Sequence, residues 1–266
     1  MGNRYRQLGV EMITNLKFHK YVAAGNDFVI LDNWEQDLTL QHQQIVSLCD
    51  RRFGIGADGV LQLSPAEEAD FTMTYFNADG SRGEMCGNGA RALIKFALDQ
   101  ERISGSGTFS ADDGLHEFTI DGDRISVEIR VPDEFHDWAT PKAGCGFINT
   151  GVPHLIVPTA DVHEEDLISL GNKMNSHPDH PEGTNTNIVS RLGGLLEVRT
   201  WERGVNNETL ACGTGATAVA IYAVQKWSLN WPVRLQFKGG ILEVDFHDNR
   251  YWLTGSTALV FAGHIA

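Results

Sequence analysis

The spacing of apolar and polar residues changes period along the chain, and each change predicts an element. Residues 17–22 have an extended pattern, Ala24-Gly25-Asn26-Asp27 is a turn cluster, and residues 28–32 are an apolar run, which together predict a hairpin. Residues 39–52 shift to helical spacing, with Thr39 as candidate cap and Leu40, Ile45, Val46 and Leu48 on one side. Strands are expected at 60–63 and 71–76. After Cys86-Gly87-Asn88-Gly89, residues 90–98 are rich in good helix formers at helical spacing, so a cysteine opens a helix. Residues 109–131 break into short strands at Asp112-Asp113-Gly114 and Asp121-Gly122-Asp123, both turn-forming clusters.

The second half repeats this alternation. Strands are expected at 146–150 and 155–157, followed by a polar helix over 161–174. Glu182-Gly183-Thr184-Asn185-Thr186-Asn187 is expected as a loop leading into a strand at 188–190, with another strand at 195–202. Cys212-Gly213-Thr214-Gly215 then opens a helix through residues 216–225, and short strands continue to the end. Set side by side, Cys86-Gly87-Asn88-Gly89-Ala90-Arg91-Ala92 and Cys212-Gly213-Thr214-Gly215-Ala216-Thr217-Ala218 share the pattern C-G-x-G-A-x-A. This internal repeat predicts two related mixed domains facing each other across a cleft. The expected domains are residues 12–131 and 132–255, with a last strand at 256–266 packing back on the first domain and residues 1–11 an extension outside the fold.

Composition narrows the class. A chain of 266 residues, at roughly 100–150 per domain, has room for two adequate cores. It is 42% hydrophobic and 21% charged, and no apolar run approaches the roughly 18 residues of a membrane span. Residues 1–15 carry no apolar core of the kind a secretory signal needs, so the expectation is a soluble, cytoplasmic enzyme. The 21 Lys and Arg against 35 Asp and Glu give a formal charge of −14, which repels nucleic acid and anionic lipid but leaves a small anionic substrate compatible with a closed pocket. Cys49, Cys86, Cys145 and Cys212 form no C-x-x-C pair, so neither a zinc site nor a disulfide framework is expected.

The repeat carries the chemistry. At a helix N-terminus several backbone N–H groups lack intrahelical partners and the macrodipole is positive, so a thiolate there is stabilised. Glycines beside each thiol let the amides approach a carboxylate closely. Inverting a carbon stereocentre through its C–H bond needs one group to take a proton from one face and another to return one to the opposite face. Paired thiols suit that task, because both protonation states of a thiol lie near neutral pH.

At this point the sequence resembles the diaminopimelate epimerase family from about residue 17 to the end. The matching motifs, in matching order, are Gly25-Asn26-Asp27-Phe28, Phe53-Gly54-Ile55-Gly56-Ala57-Asp58-Gly59, Asn77-Ala78-Asp79-Gly80, Cys86-Gly87-Asn88-Gly89, Gly183-Thr184-Asn185-Thr186-Asn187, Glu202-Arg203-Gly204 and Cys212-Gly213-Thr214-Gly215. The resemblance implies a mixed α/β (α+β) fold of two pseudo-symmetric domains. Each is a barrel-like mixed sheet around a central helix, with the active site in the cleft between them. It implies a cofactor-independent homodimer acting on a small amino acid, interconverting LL- and meso-2,6-diaminopimelate in lysine and peptidoglycan precursor biosynthesis. Carried over by position, Cys86 and Cys212 are the proton-transfer groups, and the amides of Gly87, Asn88, Gly213 and Thr214 cradle the α-carboxylate. Asn26, Asn77, Asn185 and Arg203 hold the substrate, the guanidinium being suited to the distal carboxylate. Glu202 and His154 are polar partners near the reacting centre. One departure stands out: the family's Asn-Pro-His reads Val152-Pro153-His154 here, which removes a polar contact to the distal end of the substrate.

Other readings stay open at this point. Gly54-Ile55-Gly56-Ala57-Asp58-Gly59 fits G-x-G-x-x-G, but a helical segment precedes it and a strand follows, the reverse of a dinucleotide fingerprint. Val152 is compatible with a racemase or epimerase of another amino acid. An isomerase of the phenazine-biosynthesis type would not need both cysteines. A carboxylate-binding module, or a redox switch formed by the two thiols, would show no exchange of the substrate's α-proton.

Overall fold

The computed structural model describes residues 15–35 and 37–265. The extension expected at residues 1–11, and residues 12–14 of the expected first domain, lie outside them. The chain divides into two compact units, residues 1–125 with 257–266 and residues 126–256.

Unit 1 begins with β1 (Leu16–Ala23) and β2 (Asn26–Asp32), paired antiparallel. Ala24 and Gly25 both have positive φ, 49° and 88°, the backbone a two-residue hairpin turn demands. Helix α1 (His42–Cys49) leads to β3 (Gly59–Ser64), parallel to β2, and β4 (Phe71–Asn77), antiparallel to β3. A short β5 (Arg82–Gly83) precedes helix α2 (Gly87–Asp99). Then β6 (Gly107–Ala111) pairs parallel to β4, and β7 (Gly114–Asp121) pairs antiparallel to β6. The chain passes through β8 (Arg124–Ile129) into unit 2.

Unit 2 repeats the plan. The strands β9 (His136–Trp138), β10 (Cys145–Asn149) and β11 (Pro153–Pro158) run antiparallel in turn. Helix α3 (Leu167–Asn175) leads to β12 (Asn185–Leu192), parallel to β11, and β13 (Leu195–Glu202), antiparallel to β12. A short β14 (Asn207–Thr209) precedes helix α4 (Gly213–Trp227), and β15 (Val233–Phe237) pairs parallel to β13. The meander β16 (Gly240–His247) and β17 (Arg250–Gly255) completes the unit. The last strand, β18 (Thr257–Ile265), belongs to unit 1 and pairs antiparallel to β1, as β9 pairs to β10. Strand for strand, pairing senses in the two units correspond, which establishes the duplication announced by the cysteine motif.

In each unit the sheet is covered on two faces. Val29 and Leu31 of β2 cluster with Ile45 and Leu48 of α1, so by alternation Phe28 and Ile30 face the other way, toward α2. Helix α2 packs against β1, β2, β3, β4 and β18, burying Leu93, Ile94, Phe96 and Ala97. In unit 2, Leu155, Val157, Ile188 and Trp201 cluster with Leu167 and Met174 of α3, while α4 packs against β10, β11, β12, β15, β16 and β17. Gly171 of α3 is required by this packing, because a Cβ there would lie 2.2 Å from the ring of Trp201.

Three expected elements change. The helix over 39–52 contracts to His42–Cys49, with Gln41 rather than Thr39 at its N-cap; the Gln41 N–H donates to Gln44 Oε1 at 2.8 Å. It stops at Asp50, whose backbone is extended and whose carboxylate accepts the N–H groups of Arg52 and Phe53, a local turn that competes with the helix. The polar helix over 161–174 begins only at Leu167. Asp161 accepts the His163 N–H in a turn, and Asp166 caps the helix through the Ser169 N–H. The expected loop at 182–187 is strand from Asn185 onward, because Asn185, Thr186 and Asn187 pair with His154, Leu155 and Ile156 of β11. The short strands β5, β9 and β14 carry too few residues to show a period.

Candidate functional site

Each unit carries a set of polar groups built from the same parts: the starts of its second and third strands, the end of its fourth, and the N-terminus of its long helix. In unit 1, Cys86 is the N-cap of α2, with φ −116° and ψ 116°; in unit 2, Cys212 is the N-cap of α4, with φ −128° and ψ 118°. Each sulfur accepts the backbone N–H three residues on, from Gly89 at 3.5 Å and from Gly215 at 3.4 Å. The first intrahelical bonds come from Ala90 to Cys86 O and from Ala216 to Cys212 O. The amides of Gly87, Asn88, Gly213 and Thr214 therefore precede the helical ladder, as donors for an anion must. Neither first turn carries an acidic residue.

Around Cys86 the side chains form a charged network. Asn88 Nδ2 donates to Asn26 Oδ1 at 2.5 Å, and Asn26 Nδ2 donates to Asp58 at 3.1 Å. Arg51 bridges Asp58 and Asp27, and Lys20 pairs with Asp27 at 2.8 Å. Burial alone would raise Asp27, but the bonds from Arg51 and Lys20 outweigh it and hold its carboxyl down at about 2. Asn77 ends β4 with its amide on Ser81 Oγ; no bond joins it to Asn26 or Asn88 among the described residues. Arg91, absent from the sequence-derived site, lies fully buried one turn into α2, donating to Gly87 O at 3.1 Å and Asn88 Oδ1 at 2.6 Å. Its signal was available: a charged side chain at an apolar-facing position between Ala90 and Ala92.

Around Cys212 the network is neutral. Asn187 Nδ2 donates to Leu155 O and to His154 Nδ1, while Thr200 donates to Asn187 Oδ1. With Nδ1 an acceptor, the His154 proton sits on Nε2 and is donated to Thr214 Oγ1 at 3.0 Å. That leaves the Thr214 hydroxyl hydrogen for Cys212 Sγ, 3.5 Å away. Burial, and secondarily the charge of Arg203, push His154 down to about 3, so the ring is neutral at physiological pH. Asn187 has no role of its own in the sequence motif, yet it orients the whole chain of bonds. Gly215 is required by it, because a Cβ there would lie 2.6 Å from Asn187 Oδ1.

The structure brings His154 and Thr214 together, and it joins Asn185 to Arg203, whose N–H donates to Asn185 Oδ1 at 2.9 Å. Arg203 Nη1 also donates to Glu182 O, beside a cavity of about 480 Å³ lined by Asn175, Pro181, Glu182, Gly183, Arg203 and Gly204. Glu202 accepts a short hydrogen bond from Thr209. Val152 is half-buried in the turn between β10 and β11. Burial raises the thiol of Cys49 to about 11 and pushes that of Cys145 up as well, and neither stands at a helix N-terminus. Residues 54–58 form the turn between α1 and β3, the wrong context for a dinucleotide site. Among the described residues no cluster of His, Cys, Asp and Glu could hold a metal ion, and no helix is long and apolar enough to cross a membrane.

The two-unit mixed α/β fold is shared with solved structures of distant sequence. A phenazine-biosynthesis PhzF-family protein from Bacillus anthracis matches with a TM-score of 0.75 and 14% identity, over 96% of this chain and 100% of that one. A probable proline racemase from Agrobacterium radiobacter K84 matches with a TM-score of 0.69 and 13% identity, over 94% and 93%. The model of the diaminopimelate epimerase family matches twice, at residues 18–130 and 146–260. The diaminopimelate epimerase of Flavobacterium psychrophilum is 39% identical over 92% of this chain and 98% of its own length, and that of Aquifex aeolicus 35% identical over 94% and 98%. The chain belongs to the diaminopimelate epimerase family, and it is an isomerase.

Proposed function

We propose that the enzyme interconverts LL- and meso-2,6-diaminopimelate without a cofactor, Cys86 and Cys212 serving as the base and acid of a two-thiol proton exchange. The observation that carries this reading is the pair of cysteine-capped helices, each with a thiol accepting one amide and two further amides preceding the ladder. A thiolate takes the α-proton from one face while a thiol returns its own to the other, and the protonation states of the pair exchange. The α-carboxylate takes the amides of Gly87, Asn88, Gly213 and Thr214, where oriented dipoles offset the negative charge that develops on deprotonation. Asn26, Asn77, Asn185 and Arg203 hold the substrate, the Arg203 guanidinium taking the distal carboxylate, with Glu202 and His154 as polar neighbours of the reacting centre. The neutral imidazole acts through Thr214 and cannot itself supply a cation.

The test follows α-proton signals by NMR after the reduced enzyme meets LL-diaminopimelate in deuterated water. Loss of the signal with appearance of the meso isomer is expected. Exchange only with another amino acid, histidine or glutamate, would keep the chemistry and move the substrate. That second reading has one specific support, Val152 in the place of the family's asparagine. Absence of exchange with every amino acid would overturn both in favour of a binding or redox role.

The lysine and cell-wall precursor pathway in the cytoplasm is the setting this substrate implies. A homodimer is part of the same proposal, supported by β18, where Leu259, Val260 and Phe261 are 48%, 56% and 45% exposed in succession. Sedimentation of the wild type as a dimer and of Phe261→Lys as a monomer is the expected result.

A further inference from the structure

The duplicated helix starts are alike in backbone and unlike in what lies behind them. At the sixth position of C-G-x-G-A-x-A, unit 1 has Arg91 and unit 2 has Thr217, both fully buried. Thr217 donates to Gly213 O at 3.2 Å, a neutral substitute for the bond that Arg91 makes to Gly87 O. A guanidinium one turn from the start of a helix opposes the positive end of the macrodipole, and full burial opposes any unpaired charge. Arg91 breaks both rules. Its hydrogen bonds go to Gly87 O and Asn88 Oδ1, which are uncharged, and Nε has no partner. Such a violation marks a position where a function fixes the residue.

From this we propose that Arg91 is a positioning residue for the thiol exchange: its fixed charge holds Cys86 as the thiolate of the resting pair, while Cys212 rests as the thiol. The proposal rests on the two-thiol reading and answers what that reading leaves open. In the direction that starts from this resting state, the substrate's α-proton goes to Cys86 and the Cys212 proton goes to carbon. Each turnover then leaves Cys86 as thiol and Cys212 as thiolate, and one proton must pass back before the next.

The surroundings of the two sulfurs support this order. Among the described residues, the ionisable group whose charge acts on Arg91 is Cys86, and although burial pulls Arg91 down to about 10 it remains a cation at neutral pH. Cys86 is partly exposed and Cys212 buried, so desolvation opposes the thiolate more at Cys212. On the strands against α2, Lys20 and Asp27 are closed into the network with Arg51 and Asp58. At the far end of the helix Tyr21 and Lys95 bond Asp99, and His19 lies against Phe96. Lys17 is exposed, Asp32 is held by Arg102, His264 bonds Asn15, and Tyr75 packs on Phe28. Glu84, two residues before Cys86, is exposed to solvent.

Around α4, His154 is neutral and Glu202 is acidic, so neither brings a cation to Cys212; the Thr214 hydroxyl gives its sulfur one neutral hydrogen bond, a weaker support for a thiolate than a fixed positive charge. Arg234 and Arg250 are engaged by Glu243 and Glu128, Lys226 by Asp137, and Arg191 reaches the Trp227 carbonyl. Tyr222 donates to Gly144 O, Tyr251 packs on Phe246, and His247 bonds Asp248, itself exposed. Asp245 holds the Phe246 N–H. Arg203, whose charge reaches His154, is half-buried beside the open cavity, where solvent weakens its effect without removing it.

The experiment follows iodoacetamide labelling of the full-length reduced enzyme against pH, mapped by mass spectrometry to each cysteine. The labelling midpoint of Cys86 is expected at least one pH unit below that of Cys212. Arg91→Met should raise the Cys86 midpoint by about one unit or more, cutting its labelling near neutral pH about tenfold, while leaving Cys212 in place; Arg91→Lys should restore it. An unmoved Cys86 midpoint in Arg91→Met, or a lower midpoint at Cys212, overturns the proposal. Should Arg91→Met fail to fold, the order of the two midpoints in the wild type decides alone. The α-proton exchange assay run beside it separates the two ideas. Ordered midpoints without exchange would reject the epimerase reading and keep the charge assignment, whereas exchange with reversed midpoints would do the opposite.

Discussion

The N-terminus of α2 and the N-terminus of α4 are two copies of one backbone device supported in two ways. Both start at an extended cysteine, both offer the same two amides, and both helices pack on corresponding strands, α2 on β1, β2 and β3 and α4 on β10, β11 and β12. Behind Cys86 the support is ionic, running from Lys20, Asp27, Arg51 and Asp58 through Asn26 and Asn88 to Arg91. Behind Cys212 it is neutral, running from Thr200 through Asn187 and His154 to Thr214. The difference teaches that the backbone fixes what the site can bind, while the side chains underneath set which proton is held where. A duplicated device can thus serve a reaction whose two half-steps need opposite protonation states.

The comparison meets its hardest test in the thiols themselves. Cys86→Ala and Cys212→Ala should each lower epimerisation by roughly 10²–10⁴-fold, the range that a positioned proton-transfer group contributes. Retention of a tenth of the activity by either variant would break the equivalence of the two helix starts.

Removing one amide should distinguish the supports. Asn187→Ala strips partners from Thr200, His154 and the Leu155 carbonyl inside the core, at a cost of about 2–4 kcal/mol. Asn26→Ala removes one bond from the buried Asn88 amide and one to the Asp58 carboxylate, which is 40% exposed and keeps Arg51 as a partner, at about 1–2 kcal/mol. Urea denaturation of both variants would check this, and equal losses would show that the neutral network is no more demanding than the ionic one.

A smaller contrast lies in the glycines that follow each thiol. A Cβ at Gly215 would meet Asn187 Oδ1 at 2.6 Å and Cys212 Sγ at 3.3 Å, and that amide is tied on both ends, so Gly215→Ala should cost about 1–3 kcal/mol. At Gly89 the nearest atoms would lie at 3.4–3.5 Å, ordinary contacts, so Gly89→Ala should stay within about 0.5 kcal/mol of the wild type or gain from better helix propensity. Thermal melts of the pair would sharpen the comparison, and a reversed order would refute it.

Much of this was legible in the chain. The twin C-G-x-G motifs placed both thiols at helix starts because glycine, a small cap and a following apolar run are local signals. What the sequence hid is tertiary. Asn185, Thr186 and Asn187 look like a loop because asparagine and threonine compete with strand pairing, and only partners on β11 and β13 turn them into a buried strand. Arg91 stands out in the chain as a charge at an apolar-facing position, but only the fold shows that it is fully buried and bonded to Gly87 and Asn88. Helix α1 runs short because Asp50 offers its own turn, a contest that periodicity alone cannot score.

The two supports should also fail in different ranges of acid. His154 is held at about 3 in the folded chain against 6.5 when free, so as pH falls below 6.5 the unfolded chain takes the proton first. Its contribution to stability is complete above 6.5 and is lost as pH drops toward 3. Asp27 is held at about 2 against 3.8, so its contribution is complete above 3.8 and is lost between 3.8 and 2. One differential proton between pH 6.5 and 5.5 amounts to about 1 kcal/mol. The folding free energy of the wild type should therefore fall by about that much more over this interval than that of His154→Gln, whatever the variant's absolute stability. Burial lowers His19 and His180 as well, and they account for the slope that remains in His154→Gln. Asp27→Asn should match the wild type in this interval and depart from it only in stronger acid. Tryptophan fluorescence is a fitting probe, since Trp138, Trp201, Trp227, Trp231 and Trp252 report from unit 2 and Trp34 from unit 1. A His154→Gln slope equal to that of the wild type would mean that the imidazole is already charged in the folded state, and the neutral relay to Thr214 would have to be abandoned.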